Sequence, residues 1–163
     1  MGLKHFFVII LMFSIFLITG CSNNIDKGTE DIDNEFPPSY TGIIIINGTE
    51  YQMEKGGYKW ERKKGLGTEV VQTDHASPNQ MAEHMESIST IPNQKVYIKI
   101  EGNPDIKVYL WNEKGLEKEI EQKANQIIVP SSKGKYIYEV LAEWTNGTIS
   151  YTFVVEVQIV TKD

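Results

Sequence analysis

From residue 40 onward, apolar and polar side chains alternate with a period of two, the repeat of a strand with one buried face. GIIIINGTEYQME (42–54) is an apolar run, an Asn-Gly pair, then alternation with Tyr51 and Met53 on one face. Asn47-Gly48 predicts a type I′ hairpin turn, which needs positive φ at both central residues. Gly56-Gly57 predicts a further turn, after which Tyr58 and Trp60 alternate with Lys59 and Glu61, and TEVVQT from Thr68 predicts a strand. In KVYIKIE, Val96, Ile98 and Ile100 share a face, and in IKVYLW so do Ile106, Val108 and Leu110. Gly102-Asn103-Pro104-Asp105 between them has turn chemistry. QIIVP is short and stopped by Pro130, while KYIYEVLAEW and TISYTFVVEVQIV are long strands joined by Asn146-Gly147, a second predicted type I′ turn. About seven to nine strands at this spacing predict an all-β fold, an antiparallel β-sandwich or barrel over 40–163.

SPNQMAEHME (77–86) breaks the pattern. Ser77 as N-cap, Pro78 at the first helical position and Gln80 closing a capping box predict one short helix. Met81 and Met85 lie four residues apart on one face, and the helix is expected to bridge the sheets as core packing.

The amino terminus follows another pattern. Lys4 and His5 precede a run, Phe6 to Ile18, that is apolar apart from Ser14, followed by the small or nearly small Thr19 and Gly20. A basic start, an apolar core and small residues at a cleavage point predict a signal peptide over 1–20. The run is shorter than the roughly 20 apolar residues of a spanning helix. Ile18-Thr19-Gly20-Cys21 resembles the lipobox of bacterial lipoproteins. That resemblance implies a diacylglyceryl group on the Cys21 sulfur, cleavage after Gly20, and a lipid anchor on the extracytoplasmic face of the cell membrane. Two acyl chains give stable anchoring where one gives only marginal binding. Cys21 is the one cysteine of the 163 residues, so no internal disulfide is available.

SNNIDKGTEDIDNEFPPS (22–39) is polar, acidic and poor in large apolar residues, so 21–39 reads as the lipidated cysteine and a flexible tether. Such a coil would hold the domain roughly 20–25 Å from the membrane. Phe36, ahead of Pro37-Pro38, marks where the folded part begins. The net charge of −6 becomes −7 without residues 1–20, because Lys4 is the one charged residue among them. This acidity disfavours nucleic acid, which wants a basic stripe. Arg62, Lys63 and Lys64 read as a small loop cluster on a solvated face.

GKYIYEVLAEW (134–144) resembles the E–F corner and F strand of an immunoglobulin-like domain, whose F strand carries a Tyr two residues before a framework cysteine. Tyr136 has that place, and Tyr138 stands at the cysteine position. The resemblance runs from Lys95 to Val160. It implies strand C around Trp111, where the fold often buries a tryptophan, strand E at Ile127 and Val129, and strand G over 148–160. Both framework cysteines are absent, and Trp111 has the opposite parity to Val108 and Leu110. Either Trp111 faces inward with Tyr109, or the aliphatic trio does. The layout also resembles small bacterial lipoproteins ending in a G-x-Y-x-Y…W…G…Y-x-F-x-V pattern, which implies no activity.

The candidate chemistry is sparse. There is no nucleophile elbow and no Gly-rich phosphate loop. Asp74, His75, Glu83 and His84 cluster around the predicted helix and would hold a divalent metal if the loop folded back on it, although their spacing is not diagnostic. Tyr97, Tyr109 and Trp111 would share the outer face of adjacent strands if the aliphatic residues face the core, offering flat rings to a sugar or an extended peptide. The expectation is a non-catalytic, cofactor-free binding module, with a cell-envelope protein or glycan as partner. The rival reading is a small metal-dependent or hydrolytic enzyme using His75 and His84.

Overall fold

A computed structural model describes residues 35–159. Cys21, the lipobox and tether residues 21–34 lie outside the described residues. Among the described residues no helix is long and apolar enough to cross a membrane.

Among the described residues eleven strands, β1 (Gly42–Ile46), β2 (Thr49–Gln52), β3 (Glu54–Lys64), β4 (Gly67–Thr73), β5 (Ile88–Thr90), β6 (Lys95–Ile100), β7 (Asp105–Asn112), β8 (Gly115–Ile120), β9 (Gln126–Ile128), β10 (Gly134–Trp144) and β11 (Gly147–Val157), form two sheets. The first runs β2-β1-β6-β9 and the second β4-β3-β11-β10-β7-β8, with β5 parallel to the end of β11. Every other pairing is antiparallel. The described residues form an all-β sandwich with one short helix among them, α1 (Pro78–Ala82).

The strands from Lys95 onward are divided between the two sheets. β9, the predicted E strand, pairs with β6, and β10, the predicted F strand, lies between β7 and β11. The Tyr136 hydroxyl donates to the Ser132 carbonyl at 3.0 Å, closing the corner before strand F. Tyr138 is buried where a cysteine would stand and stacks on Phe153, ring centroids 4.9 Å apart. Strands β1 to β4 add to this unit, β1 pairing with β6 and β3 with the free edge of β11.

Alternate residues of both sheets meet in one core: Ile44, Val96, Ile98 and Ile127 from the first, and Val108, Leu110, Val140, Tyr151 and Val155 from the second. The aliphatic trio of β7 therefore faces inward, and Trp111 is turned outward rather than buried as a core tryptophan. The buried indole is Trp60 of β3, at one end of the sandwich against Tyr40 and Trp144, with centroids 5.7 and 5.2 Å away. Phe36 also packs against the core under the Arg62 guanidinium, 4.2 Å from its ring centroid, so ordered packing begins ahead of Tyr40.

Between β2 and β3 the chain passes from one sheet to the other at Met53, which is buried and donates its N–H to the Gly42 carbonyl at 2.9 Å. The methyl end of Met53 sits where a side chain on Gly42 would be, 2.7 Å from an ideal Cβ there.

Of four local expectations, one holds and three need correction. Asn47 and Gly48 have φ of 52° and 80°, as a type I′ turn requires. Gly56-Gly57, by contrast, is no turn: β3 runs through it, because β11 and β4 approach so closely that a Cβ on either glycine would press a backbone carbonyl, 3.3 Å at Ser150 and 3.1 Å at Thr73. The β10–β11 hairpin turns at Thr145-Asn146 rather than Asn146-Gly147, and neither residue has positive φ. Gly147 pairs with Trp144 and is needed for space: a Cβ there would lie 2.3 Å from the Trp60 ring. Arg62, Lys63 and Lys64 lie on β3 rather than in a loop.

The helix forms at the predicted place. The Ser77 N–H donates to Gln80 Oε1 at 3.0 Å, and Pro78 opens the first turn. It does not bridge the sheets but lies on the outer face of the second sheet, over β7, β10 and β11.

Candidate functional site

The outer face of the second sheet is built from the alternate residues of β7, β10 and β11 that the core does not use. Strand register sets them in rows, with Trp111 beside Ile137 and Val154, and Tyr109 beside Glu139 and Thr152. α1 covers the β11 side of this face. Thr152 and Val154 are buried there, and the Thr152 hydroxyl points at Met81 Sδ, 3.5 Å away. Two further bonds hold the helix down: Asn79 Nδ2 donates to the Asn112 carbonyl at 2.6 Å, and Lys135 Nζ to the Ala82 carbonyl at 3.1 Å.

Beyond the helix, Trp111 and Tyr109 are half-buried and Leu116 of the neighbouring edge strand is 53% exposed. Trp111 cannot swing freely. Its Nε1–H donates to Glu139 Oε2 at 2.8 Å, and the other oxygen of the same carboxylate accepts from the Ser150 hydroxyl at 2.7 Å. Hydrogen bonds to an ionised acceptor are about twice as strong as neutral ones. Glu139 thus works as a clamp, with both oxygens engaged, and the indole becomes a fixed plate at the wall of an open groove.

The groove has a volume of about 510 Å³ and is lined by Leu110, Trp111, Asn112, Glu113, Lys114, Glu117, Lys135, Tyr136 and Ile137. Its far wall is the β7–β8 turn, ordered by Asn112, whose Oδ1 accepts from the Lys114 N–H at 2.8 Å and whose Nδ2 donates to Glu117 Oε2 at 3.2 Å. Two carboxylates, two ammonium groups and one amide therefore ring an aromatic plate. That composition suits a polar ligand with a flat apolar face.

The structure separates the three aromatics singled out from sequence. Tyr109 and Trp111 share the second sheet's outer face, but Tyr97 lies on β6 in the first sheet, because β6 and β7, consecutive in the chain, belong to opposite layers. Asp74, His75, Glu83 and His84 are all exposed, and no group of three or more His, Cys, Asp or Glu side chains is placed to hold a metal among the described residues. Glu139 and Ser150 carry no signal in the sequence, since only the pairing of β10 with both β7 and β11 brings them to Trp111. Comparison with protein-family models, with curated proteins and with solved structures gives no match.

Proposed function

We propose that this chain is a lipoprotein, anchored through an acylated Cys21 to the extracytoplasmic face of a bacterial membrane, whose immunoglobulin-like β-sandwich is a non-catalytic binding module. The observation that carries the binding role is the clamped Trp111 plate beside its groove. A rigid ring whose own polar atom is already satisfied loses little entropy when a sugar or peptide plane stacks on it. Both oxygens of Glu139 are engaged, one by Trp111 and one by Ser150, which suits the carboxylate to holding the ring in place. The anchor reading is supported by the sequence alone, by the apolar run that ends at Ile18-Thr19-Gly20-Cys21.

Two experiments test the two halves separately. Cys21→Ser should release the protein from the membrane fraction and remove the lipid mass; full retention at unchanged mass would refute the anchor. Titration of the purified protein with cell-wall glycan fragments and with envelope-derived peptides should shift the tryptophan emission, and Trp111→Ala should abolish the shift. An emission spectrum unmoved by either ligand class would refute the groove.

A further inference from the structure

β1 carries a contradiction between its sequence and its surroundings. GIIII is apolar at every side-chain position, the composition of a strand covered on both faces, whereas a strand with one wet face should alternate. In the structure only Ile44 and Ile46 face the core, while Ile43 and Ile45 point out of the first sheet and are half-buried. Their neighbours on that outer face are Tyr97, 47% exposed, and Ile128, 56% exposed. The helix packs on the other sheet and makes no comparable contact with this one. Apolar patches of a few hundred Å² on a protein surface are often functional.

The charges beside the stripe indicate what covers it. β2 on one side presents Glu50 and Gln52, and β6 on the other presents Lys95 and Lys99, all exposed. Neither Glu50, Lys95 nor Lys99 is in a salt bridge among the described residues. Register puts Glu50 beside Ile45 and Ile45 beside Tyr97, one row between Lys95 and Lys99. From this self-complementary layout we infer that the outer face of β2-β1-β6-β9 is a docking surface for a second copy of this chain.

A two-fold axis along β1, in the plane between two copies, lays β1 over β1 and carries β2 of each copy over β6 of the other. Glu50 then falls over Tyr97 of the second copy, between its Lys95 and Lys99. An axis across the strands would set Glu50 over Glu50, so charge selects the first arrangement. Four strands about 4.8 Å apart and five residues long at about 3.4 Å each give roughly 300 Å² of flat face. That is below the roughly 800 Å² per partner of a standard stable interface, so the pair is weak and reversible. The apolar run at Phe6–Ile18 is a poorer occupant, because it offers no charge to Glu50 or to the lysines.

The test is crosslinking of the full chain as cells process it, with a short bismaleimide and a single Ile45→Cys change at the axis. The native chain, run beside it, measures any signal from Cys21. A crosslinked dimer is expected at position 45 and not with Thr148→Cys, which lies on the outer face of the other sheet. In the Ile45→Cys background, Glu50→Lys and the pair Lys95→Glu/Lys99→Glu should each lower the crosslinked fraction about tenfold, and combining them should restore it. Unchanged thermal melts show that these surface changes leave the fold alone. No dimer at position 45 overturns the inference, whether the face is then covered by the chain's own first residues, by another protein or by nothing. Equal crosslinking in all charge variants overturns it as well.

Discussion

Gly147→Ala tests the packing of the sandwich at its most confined point. The added methyl would stand 2.3 Å from two atoms of the Trp60 ring and 2.7 Å from the Lys59 carbonyl oxygen, where ordinary contact begins near 3.4 Å. Trp60 has no room to retreat: it is 1% exposed, with Trp144 and Tyr40 at 5.2 and 5.7 Å from its centroid. The strand must therefore move away from β3, or the indole must leave its rotamer. Overpacking of this kind costs about 1–3 kcal/mol, and contact with a backbone carbonyl as well as a rigid ring places this site at the upper end. For a domain of this size about 3 kcal/mol lowers Tm by roughly 10–15 °C. Urea unfolding followed by tryptophan emission would read the change as a lower midpoint at unchanged slope. In a Trp60→Leu background the same substitution should cost clearly less, because the clashing ring is gone and the Lys59 carbonyl contact alone remains. A variant within about 0.5 kcal/mol of the parent, or an equal penalty in both backgrounds, would refute the argument that Gly147 is there to admit the indole.

Three further outcomes follow from other parts of the fold. Gly48→Ala meets no atom within 4 Å, so its cost should come from φ of 80° alone, about 1–2 kcal/mol in the same urea assay and unaffected by Trp60→Leu. Tyr136→Phe should lower stability by about 1 kcal/mol through the lost bond to Ser132, and a neutral result would remove the corner from the list of stabilising contacts. Burial raises the hydroxyl pKa of both Tyr138 and Tyr151 above the ordinary 10.0, so the folded state keeps protons that the unfolded chain releases. Their contribution is complete below pH 10 and is lost as pH rises from there toward the folded values, at about 1.4 kcal/mol per pH unit for each group. Tyr138→Phe should flatten the slope measured by urea unfolding between pH 10 and 11, and an unchanged slope would refute the assignment.

The strands that alternate cleanly were legible in the sequence because a half-buried strand must alternate. The elements that were not legible lack that cue. β8 reads GLEKEI, charged on both faces because it is an edge strand with little to bury, and β5 is three residues long. Gly56-Gly57 looks like punctuation, but the absent side chains serve close approach of strands rather than a turn. Asn146-Gly147 misled for a related reason: the glycine answers to Trp60, which is distant in sequence, and the turn slips one residue to accommodate it. For the candidate site, Trp111 and Tyr109 were found because they break the aliphatic parity of β7. Tyr97 has the same parity on β6, but sequence pattern does not show that β6 and β7, consecutive in the chain, belong to different layers. The clamp made by Glu139 and Ser150 depends wholly on register and could not be read from any one segment.

The passage through Met53 has a mechanical meaning for the whole molecule. The first sheet continues without a loop into the second at that residue, so this side of the sandwich is stitched rather than hinged. The layers cannot gape like a clam shell there to let solvent or a ligand into the interior. Opening one requires tearing the other, and slow amide exchange at Ile44 and at Tyr151 should be lost in a single event rather than in two.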